Sequence, residues 1–182
     1  DVSGKGIPAS LLMAQILSAM QFVFATTTSP SNALSTLNAT LHEQIVRGMF
    51  ATTLVGRMTP DSRRIEISSA GHCRPWLVRA NEAPIEILTE GALPLGVMPQ
   101  VSYRQGKVEL AEGDYLMCYT DGLSESRNPG SGQFFEDLIG ETLTRKFAQP
   151  QEIVDLLVTT EERFREGSPA RDDLTLLVAG FR

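Results

Sequence analysis

The chain has 182 residues and a formal net charge of −6, with 16 lysine and arginine residues against 22 aspartate and glutamate residues. This length is most simply one domain with a core of its own. An acidic chain without a Lys/Arg cluster is atypical of a nucleic-acid-binding protein. Cys73 and Cys118 are distant from each other, as are the two histidines, so neither a disulfide framework nor a zinc site is predicted. A reducing, cytoplasmic setting fits this composition best.

Neither a signal peptide nor a membrane segment is predicted. The first residues are acidic and Gly-rich rather than basic, and no apolar stretch is interpreted as long enough to span a membrane. The chain starts without Met and inside the motif D-V-S-G-K-G. We therefore expect it to be part of a longer protein.

Two helices are predicted at the start of the chain. Residues 7–26 contain a proline suited to a first helical turn and apolar residues at helical spacing, and we expect this helix to be buried. A second helix is predicted over Ser31–Arg47, with Ser31 as a possible N-cap and Gly48 after its end.

The apolar period then changes to two, which indicates strands. Residues 50–58 and 64–70 predict a hairpin about a turn at residues 60–62. Further elements are predicted along the chain: strands at 76–78 and 85–88, a loop at 89–100, strands at 102–109 and 114–119 joined by a turn at 112–114, helices at 134–146 and 150–166, and a strand at 174–181. Clustered strands flanked by pairs of helices favour an α/β sandwich of antiparallel sheet, an α+β fold, over alternating βαβ units.

Aspartates lie at the ends of predicted strands in three distant places. Asp1 opens the first motif, Asp121 follows an apolar strand, and Asp172 and Asp173 precede the last strand. Carboxylates without a matching His/Cys set suggest a hard, oxygen-ligated cation such as Mg²⁺ or Mn²⁺. Two such ions can activate a water molecule and stabilise the leaving oxygen in phosphoester hydrolysis.

Each motif also has an ordinary structural interpretation. The segment that starts at Asp1 can be a strand-to-helix turn, and it lacks the first glycine and the Ser/Thr of a P-loop. Asp121 and Gly122 can form a common turn. The pair Asp172-Asp173 can be a solvated loop end, although adjacent carboxylates repel each other unless a cation or donor compensates. Taken together, the three places predict one metal site if a central sheet brings them to the same edge.

Five motifs in this order resemble the SpoIIE-like branch of the PPM metal-dependent serine/threonine phosphatases. They are D-V-S-G-K-G-I-P-A-S-L-L-M-A, S-A-G-H, L-P-L-G-V, G-D-Y-L-M-C-Y-T-D-G-L-S-E-S-R-N and D-D-L-T-L-L-V. The resemblance covers the chain from Asp1 to the last strand. It implies a four-layer α-β-β-α sandwich of antiparallel sheets and one phosphatase domain over residues 1–182 that lacks its first strands.

The resemblance also implies roles for the aspartates. Asp1, Asp121 and Asp172 would be the catalytic residues and would ligate two Mn²⁺ or Mg²⁺ ions, with Asp1 bridging them and the Val2 carbonyl nearby. Asp173 would lie behind these ligands or exchange with Asp172. A metal-bridging water would attack the phosphorus without a covalent phosphoenzyme. An acidic ligand on a strand upstream of Asp1 is a further expectation, so the chain by itself would hold an incomplete site.

The resemblance finally implies partners. Proteins of this branch dephosphorylate a phosphoserine or phosphothreonine on an anti-sigma-factor antagonist, and they often follow a sensor or receiver domain in the same chain. His72 is interpreted as structural, with a general-acid role as the alternative. The helices at 7–26 and 31–47 could contact a regulator or form a homodimer, although core packing is favoured. The alternative function is a catalytically inactive binding module with the same fold.

Overall fold

The computed structural model describes residues 1–46, 48–59, 62–80, 82–87 and 92–181. The chain divides into two compact units, each with its own antiparallel sheet. Unit 1 comprises Asp1–His72 and Leu88–Glu109, and unit 2 comprises Cys73–Ile87 and Leu110–Arg182. The predicted α+β fold with antiparallel sheets is confirmed. That residues 1–182 form one phosphatase domain stays a prediction.

The described elements, in chain order, are α1 (Ile7–Thr26), α2 (Pro30–His42), β1 (Thr53–Thr59), β2 (Arg64–Ala70), β3 (Trp76–Val78), β4 (Ile85–Glu86), β5 (Gln105–Glu109), β6 (Tyr115–Tyr119), α3 (Asp121–Ser124), α4 (Glu136–Thr142), α5 (Pro150–Phe164) and β7 (Leu176–Gly180). Most predicted elements are present, with ends that differ by a few residues. The short helix α3 was not predicted. Of the predicted strand at 85–88 and the loop at 89–100, residues 88–91 lie outside the described residues.

Helix α2 begins and ends earlier than predicted. Its N-cap is Ser29 rather than Ser31, and the Ser29 side chain accepts a hydrogen bond from a backbone N–H of the first turn. Pro30 occupies the first helical position, where a missing N–H costs no hydrogen bond. The helix ends at His42, and Arg47, the predicted end, lies outside the described residues.

Helix α1 has the predicted bounds but not the predicted burial. Leu12, Ile16 and Val23 are buried, whereas Ile7 and Phe22 are 77% and 73% exposed. None of its residues is charged, yet only the face with Leu12 and Ile16 packs into the core of unit 1. The prediction of a buried helix is therefore wrong for most of its surface.

The same helix has the length and apolar composition of a membrane span. The prediction that no segment reaches such a length is therefore wrong. One such helix is weak evidence for a span, because core helices and signal sequences share these properties.

Unit 1 has a sheet in the order β1-β2-β5, with both strand pairs antiparallel. The predicted hairpin is confirmed, since Thr53 pairs with Ala70 and Thr59 pairs with Arg64. Pro60 and Asp61 of the predicted turn lie outside the described residues. The buried leucines of α2 pack with the inner side chains of this sheet, which closes the core of unit 1.

Unit 2 has a sheet in the order β4-β3-β6-β7, again with antiparallel pairs. Strand β6 lies between β3 and β7, and the fully buried Met117 on it shares a core with Ile139 of α4 and with Ile153 and Leu157 of α5. Although β5 and β6 are consecutive, they belong to different sheets. The predicted turn at 112–114 is therefore not a hairpin turn.

Candidate metal centre

Asp121 stands directly after the central strand of unit 2. Strand β6 is held on both sides by β3 and β7, and Thr120 is the N-cap residue from which α3 starts. Asp121 is half-buried, and its backbone carbonyl accepts a hydrogen bond from the Glu125 N–H at 2.7 Å. The carboxylate is thus carried on a short rigid element rather than on a mobile turn.

The segment that contains Asp172 and Asp173 is fastened to the same place by Thr120. The Thr120 hydroxyl donates to the Asp173 carbonyl at 3.2 Å and accepts from the Thr175 N–H at 3.0 Å. The Thr120 N–H in turn donates to the Thr175 carbonyl at 3.1 Å. These bonds extend the β6–β7 ladder beyond the pair of Tyr119 and Leu176, so the two Asp-bearing segments leave the sheet side by side.

Gly122 permits a closer approach of these segments than any other residue would. A Cβ atom at this position would lie 2.3 Å from the Asp173 carbonyl oxygen and 2.8 Å from its carbonyl carbon. Backbone atoms cannot yield as a flexible side chain can, so a side chain here would push the Asp172-Asp173 segment away. The glycine is needed for space, and the D-G sequence is more than a common turn signal. We call Thr120, Gly122 and the Asp173 backbone the β6–β7 clamp.

The carboxylates of Asp172 and Asp173 both belong to exposed residues. The Asp173 N–H donates to Oδ1 of Asp172 at 2.9 Å, which orients that carboxylate. Asp121 and Asp172 are hard oxygen donors, and such donors suit Mg²⁺ or Mn²⁺, which keep several waters in their coordination shells. The donor chemistry of unit 2 thus fits the predicted ions. Within the described ranges, no group of three or more His, Cys, Asp or Glu side chains is placed to hold a metal.

The two thiols of unit 2, Cys73 and Cys118, have raised pKa values. Burial raises the pKa of the Cys118 thiol to about 11, and burial is also the main cause that raises the pKa of Cys73. The nearby Asp121 carboxylate raises the Cys73 pKa further, while a hydrogen bond with Ser124 lowers it. The thiolate is the form that binds metals, so burial of the two thiols disfavours that form.

Asp1 and Val2 lie in unit 1, where they pair with the segment before β1. The Asp1 nitrogen donates to the Thr52 carbonyl at 2.9 Å, and the Thr52 N–H donates to the Asp1 carbonyl at 2.8 Å. Ser3 then donates its N–H to the Phe50 carbonyl at 2.9 Å. In an antiparallel pair, the residue between two hydrogen-bonded positions turns its own N–H and C=O outward. The Val2 carbonyl therefore points away from this partner segment and is not used in this pairing.

His72 contacts the side chain of Thr52, a residue that sequence analysis did not single out. Its Nδ1 and the Thr52 hydroxyl are 2.8 Å apart, and its N–H donates to the Ser69 hydroxyl at 3.1 Å. Thr52 thus joins the histidine of the S-A-G-H motif to the backbone of Asp1. This arrangement supports the structural interpretation of His72.

Sequence analysis also missed Thr120, which precedes the predicted aspartate without any special signal. Its role depends on the Asp173 and Thr175 backbone, more than 50 residues later in the chain. The nearest signal was the T-D-G tripeptide itself, in which a hydroxyl residue stands at the end of a buried strand.

Comparison with known proteins places these features in a family. The family model described as Stage II sporulation protein E (SpoIIE) matches residues 1–182. The phosphoserine phosphatase RsbU of Bacillus subtilis (strain 168) is 28% identical over 178 residues, which are 98% of this chain and 53% of RsbU. The chain therefore spans about half the length of this curated relative.

Two solved structures share the fold. The SiaA-PP2C domain of Pseudomonas aeruginosa superposes with a TM-score of 0.84 at 21% identity, covering 100% of this chain and 73% of that one. The Mn-presoaked phosphatase domain of SpoIIE from Bacillus subtilis superposes with a TM-score of 0.64 at 20% identity, covering 90% of this chain and 70% of that one. At these identities the likeness shows a PP2C-type fold.

Proposed function

Because the chain belongs to the SpoIIE family, we propose that it forms the catalytic part of a metal-dependent protein serine/threonine phosphatase. Its similarity to a phosphoserine phosphatase over 98% of its length supports this reaction. The observation that carries the proposal is the β6–β7 clamp, since it holds the Asp121 and Asp172 segments side by side through side-chain hydrogen bonds and a required glycine.

The proposed ligands are those that the family resemblance implies: the carboxylates of Asp1, Asp121 and Asp172 and the carbonyl of Val2. The Asp173 N–H orients the Asp172 carboxylate. Two Mn²⁺ or Mg²⁺ ions, when bound, would supply water activation near neutral pH and stabilise charge on the phosphoryl group. The protein's own task would be to orient these groups, and the β6–β7 clamp, the Asp173 N–H and the Asp1–Thr52 pairing support that role.

The proposed substrate is a phosphoserine or phosphothreonine on a regulatory protein, in particular an anti-sigma-factor antagonist. A sensor or receiver domain elsewhere in the same protein would control the reaction. These partners rest on the family resemblance, whereas the proposed cytoplasmic location rests on the composition and a homodimer on the apolar residues of α1.

Hydrolysis of p-nitrophenyl phosphate by the full-length protein tests the reaction. Turnover should require Mn²⁺ or Mg²⁺ and should fall by orders of magnitude in Asp121→Asn, because the ions provide the nucleophile. Asp155→Asn is the matched control, since Asp155 is exposed on α5 and accepts a hydrogen bond from the Gln151 side chain, for which asparagine keeps an oxygen.

Two results would count against the proposal. Turnover that persists after chelation of the metal, or that survives Asp121→Asn, would reject the mechanism. A well-folded full-length protein without any turnover would instead favour the catalytically inactive binding module.

A further inference from the structure

Unit 2 contains a cavity of about 690 Å³ beside the proposed ligands, and Asp172 and Gly122 line one side of it. Its wall carries three arginines, Arg127, Arg165 and Arg171, and three carboxylates, Glu125, Glu161 and Asp172. A volume of this size lies in the range of ligand sites. The charge that the cavity presents to a ligand therefore depends on how its individual arginines are engaged, and Arg165 and Arg127 differ in this respect.

Arg165 forms an ion pair within the protein, with Glu161. Its Nε donates to Oε1 of Glu161 at 2.5 Å, and the Ser126 hydroxyl donates to the same oxygen at 2.5 Å. Glu161 is only 3% exposed, so its charge needs this partner. The Arg165–Glu161 pair is therefore a neutral and rigid part of the cavity wall.

Arg127 has a different setting. It is exposed, its Nε donates to the Gly132 carbonyl at 3.0 Å, and its guanidinium carbon lies 5.8 Å from the centre of the Phe134 ring. Neither contact neutralises its charge. A guanidinium held at Nε still presents a planar pair of amino groups, which is the geometry that binds a carboxylate in bidentate fashion.

Asn128 fixes the loop from which Arg127 projects. Its side-chain oxygen accepts the N–H groups of Gly130 and Ser131, and its amide group donates to the Phe164 carbonyl at 2.7 Å. The loop is thereby tied to the end of α5. Arg127 is consequently presented on a preorganised loop, which lowers the entropic cost of binding an anion.

We propose that this cavity binds an acidic polypeptide segment next to the phosphorylated residue of the substrate, and that Arg127 binds a carboxylate of that segment. The proposal rests on the proposed function, because the cavity borders Asp172 and a chain with its phosphoryl group near Asp172 would continue past Arg127. Arg127 is then a specificity-determining residue that acts on the substrate sequence and not on the phosphoryl group.

Binding of two phosphoserine peptides tests this role without turnover. One peptide carries glutamates on both sides of the phosphoserine, and the other carries glutamines. Fluorescence anisotropy with the full-length protein in EDTA should show about fivefold tighter binding of the glutamate peptide, the upper range for an exposed ion pair. This preference should shrink between 50 and 500 mM NaCl, because salt screens exposed charges.

Two variants separate Arg127 from general charge effects. Arg127→Ala should abolish the preference, and Arg127→Gln, which keeps a polar side chain able to bond Gly132, should do the same. Arg163→Ala is the control, because it removes an equal charge from an exposed position on α5 that does not line the cavity. It should keep the preference.

The inference would be overturned by equal affinity of the wild type for both peptides, or by a preference that survives in both folded Arg127 variants. Parallel assays with p-nitrophenyl phosphate keep this separate from the proposed function. That small substrate has no acidic flank, so loss of its turnover speaks against the reaction and leaves the peptide comparison intact.

Discussion

The two regions that carry the proposed ligands are held in different ways. In unit 2, the segments of Asp121 and Asp172 are joined by the Thr120 hydroxyl and by a contact that only Gly122 allows. In unit 1, Asp1 exchanges two backbone hydrogen bonds with Thr52. An aspartate held through particular side chains is sensitive to single substitutions of those residues. An aspartate held through backbone hydrogen bonds tolerates such substitutions. Three substitutions test this contrast.

The largest effect is expected for Gly122→Ala. The added methyl group would meet the Asp173 carbonyl oxygen at 2.3 Å, so the Asp172-Asp173 segment must move. A displacement of about 1 Å near reacting groups can cost on the order of a hundredfold in rate. We expect a loss of this size in turnover of p-nitrophenyl phosphate by the full-length protein.

Gly106→Ala is the control for this change, because a Cβ atom at Gly106 in β5 meets nothing within 4 Å. It should leave turnover unchanged. Equal activity of Gly122→Ala and wild type would mean that the close approach does not matter for the site.

A smaller effect is expected for Thr120→Val. The variant keeps the shape of the side chain but loses one donated and one accepted hydrogen bond. The free energy of unfolding should fall by about 1–3 kcal/mol, and turnover should fall as well because the Asp172 segment is released. Urea unfolding and the phosphatase assay measure the two effects.

Thr160→Val provides the comparison, since the Thr160 hydroxyl donates to the Leu156 carbonyl within α5. It should alter turnover far less. If both threonine variants behaved alike, the Thr120 hydroxyl would have no particular role.

The smallest effect is expected for Thr52→Val in unit 1. The contact between the Thr52 hydroxyl and His72 is lost, but the backbone bonds to Asp1 do not depend on the side chain. Stability should fall by about 1 kcal/mol, with less loss of turnover than in Thr120→Val. A larger loss than in Thr120→Val would reverse the contrast between the two units and would assign His72 a more direct role.

Much of the fold could be predicted because local patterns decide it. The bounds of α1, β2 and β3 agree with the prediction, since apolar period and turn residues act over a few neighbours. The start of α2 was missed by one residue because two serines flank Pro30 and only the proline rule distinguishes them.

Other features depend on distant parts of the chain and could not be predicted in this way. The apolar sequence of α1 does not indicate which of its faces pack against the core. Most of its residues are exposed in unit 1. Strands β5 and β6 are neighbours in sequence, yet each pairs in a different sheet. The aspartates of the candidate site were predicted by residue type and motif, but the β6–β7 clamp was not, because Thr120 and Gly122 act on backbone more than 50 residues away.

A double-mutant cycle on Asp121 and Asp172 tests the central claim that these two residues serve one metal site. Turnover of p-nitrophenyl phosphate with saturating Mn²⁺ would be measured for the full-length wild type, Asp121→Asn, Asp172→Asn and the double variant, with Asp121→Asn combined with Asp155→Asn as the control pair. Residues that act as a unit are strongly non-additive, so the double variant should be hardly slower than the slower single variant. If the two losses multiplied, Asp121 and Asp172 would act independently and the account of a shared site would be wrong.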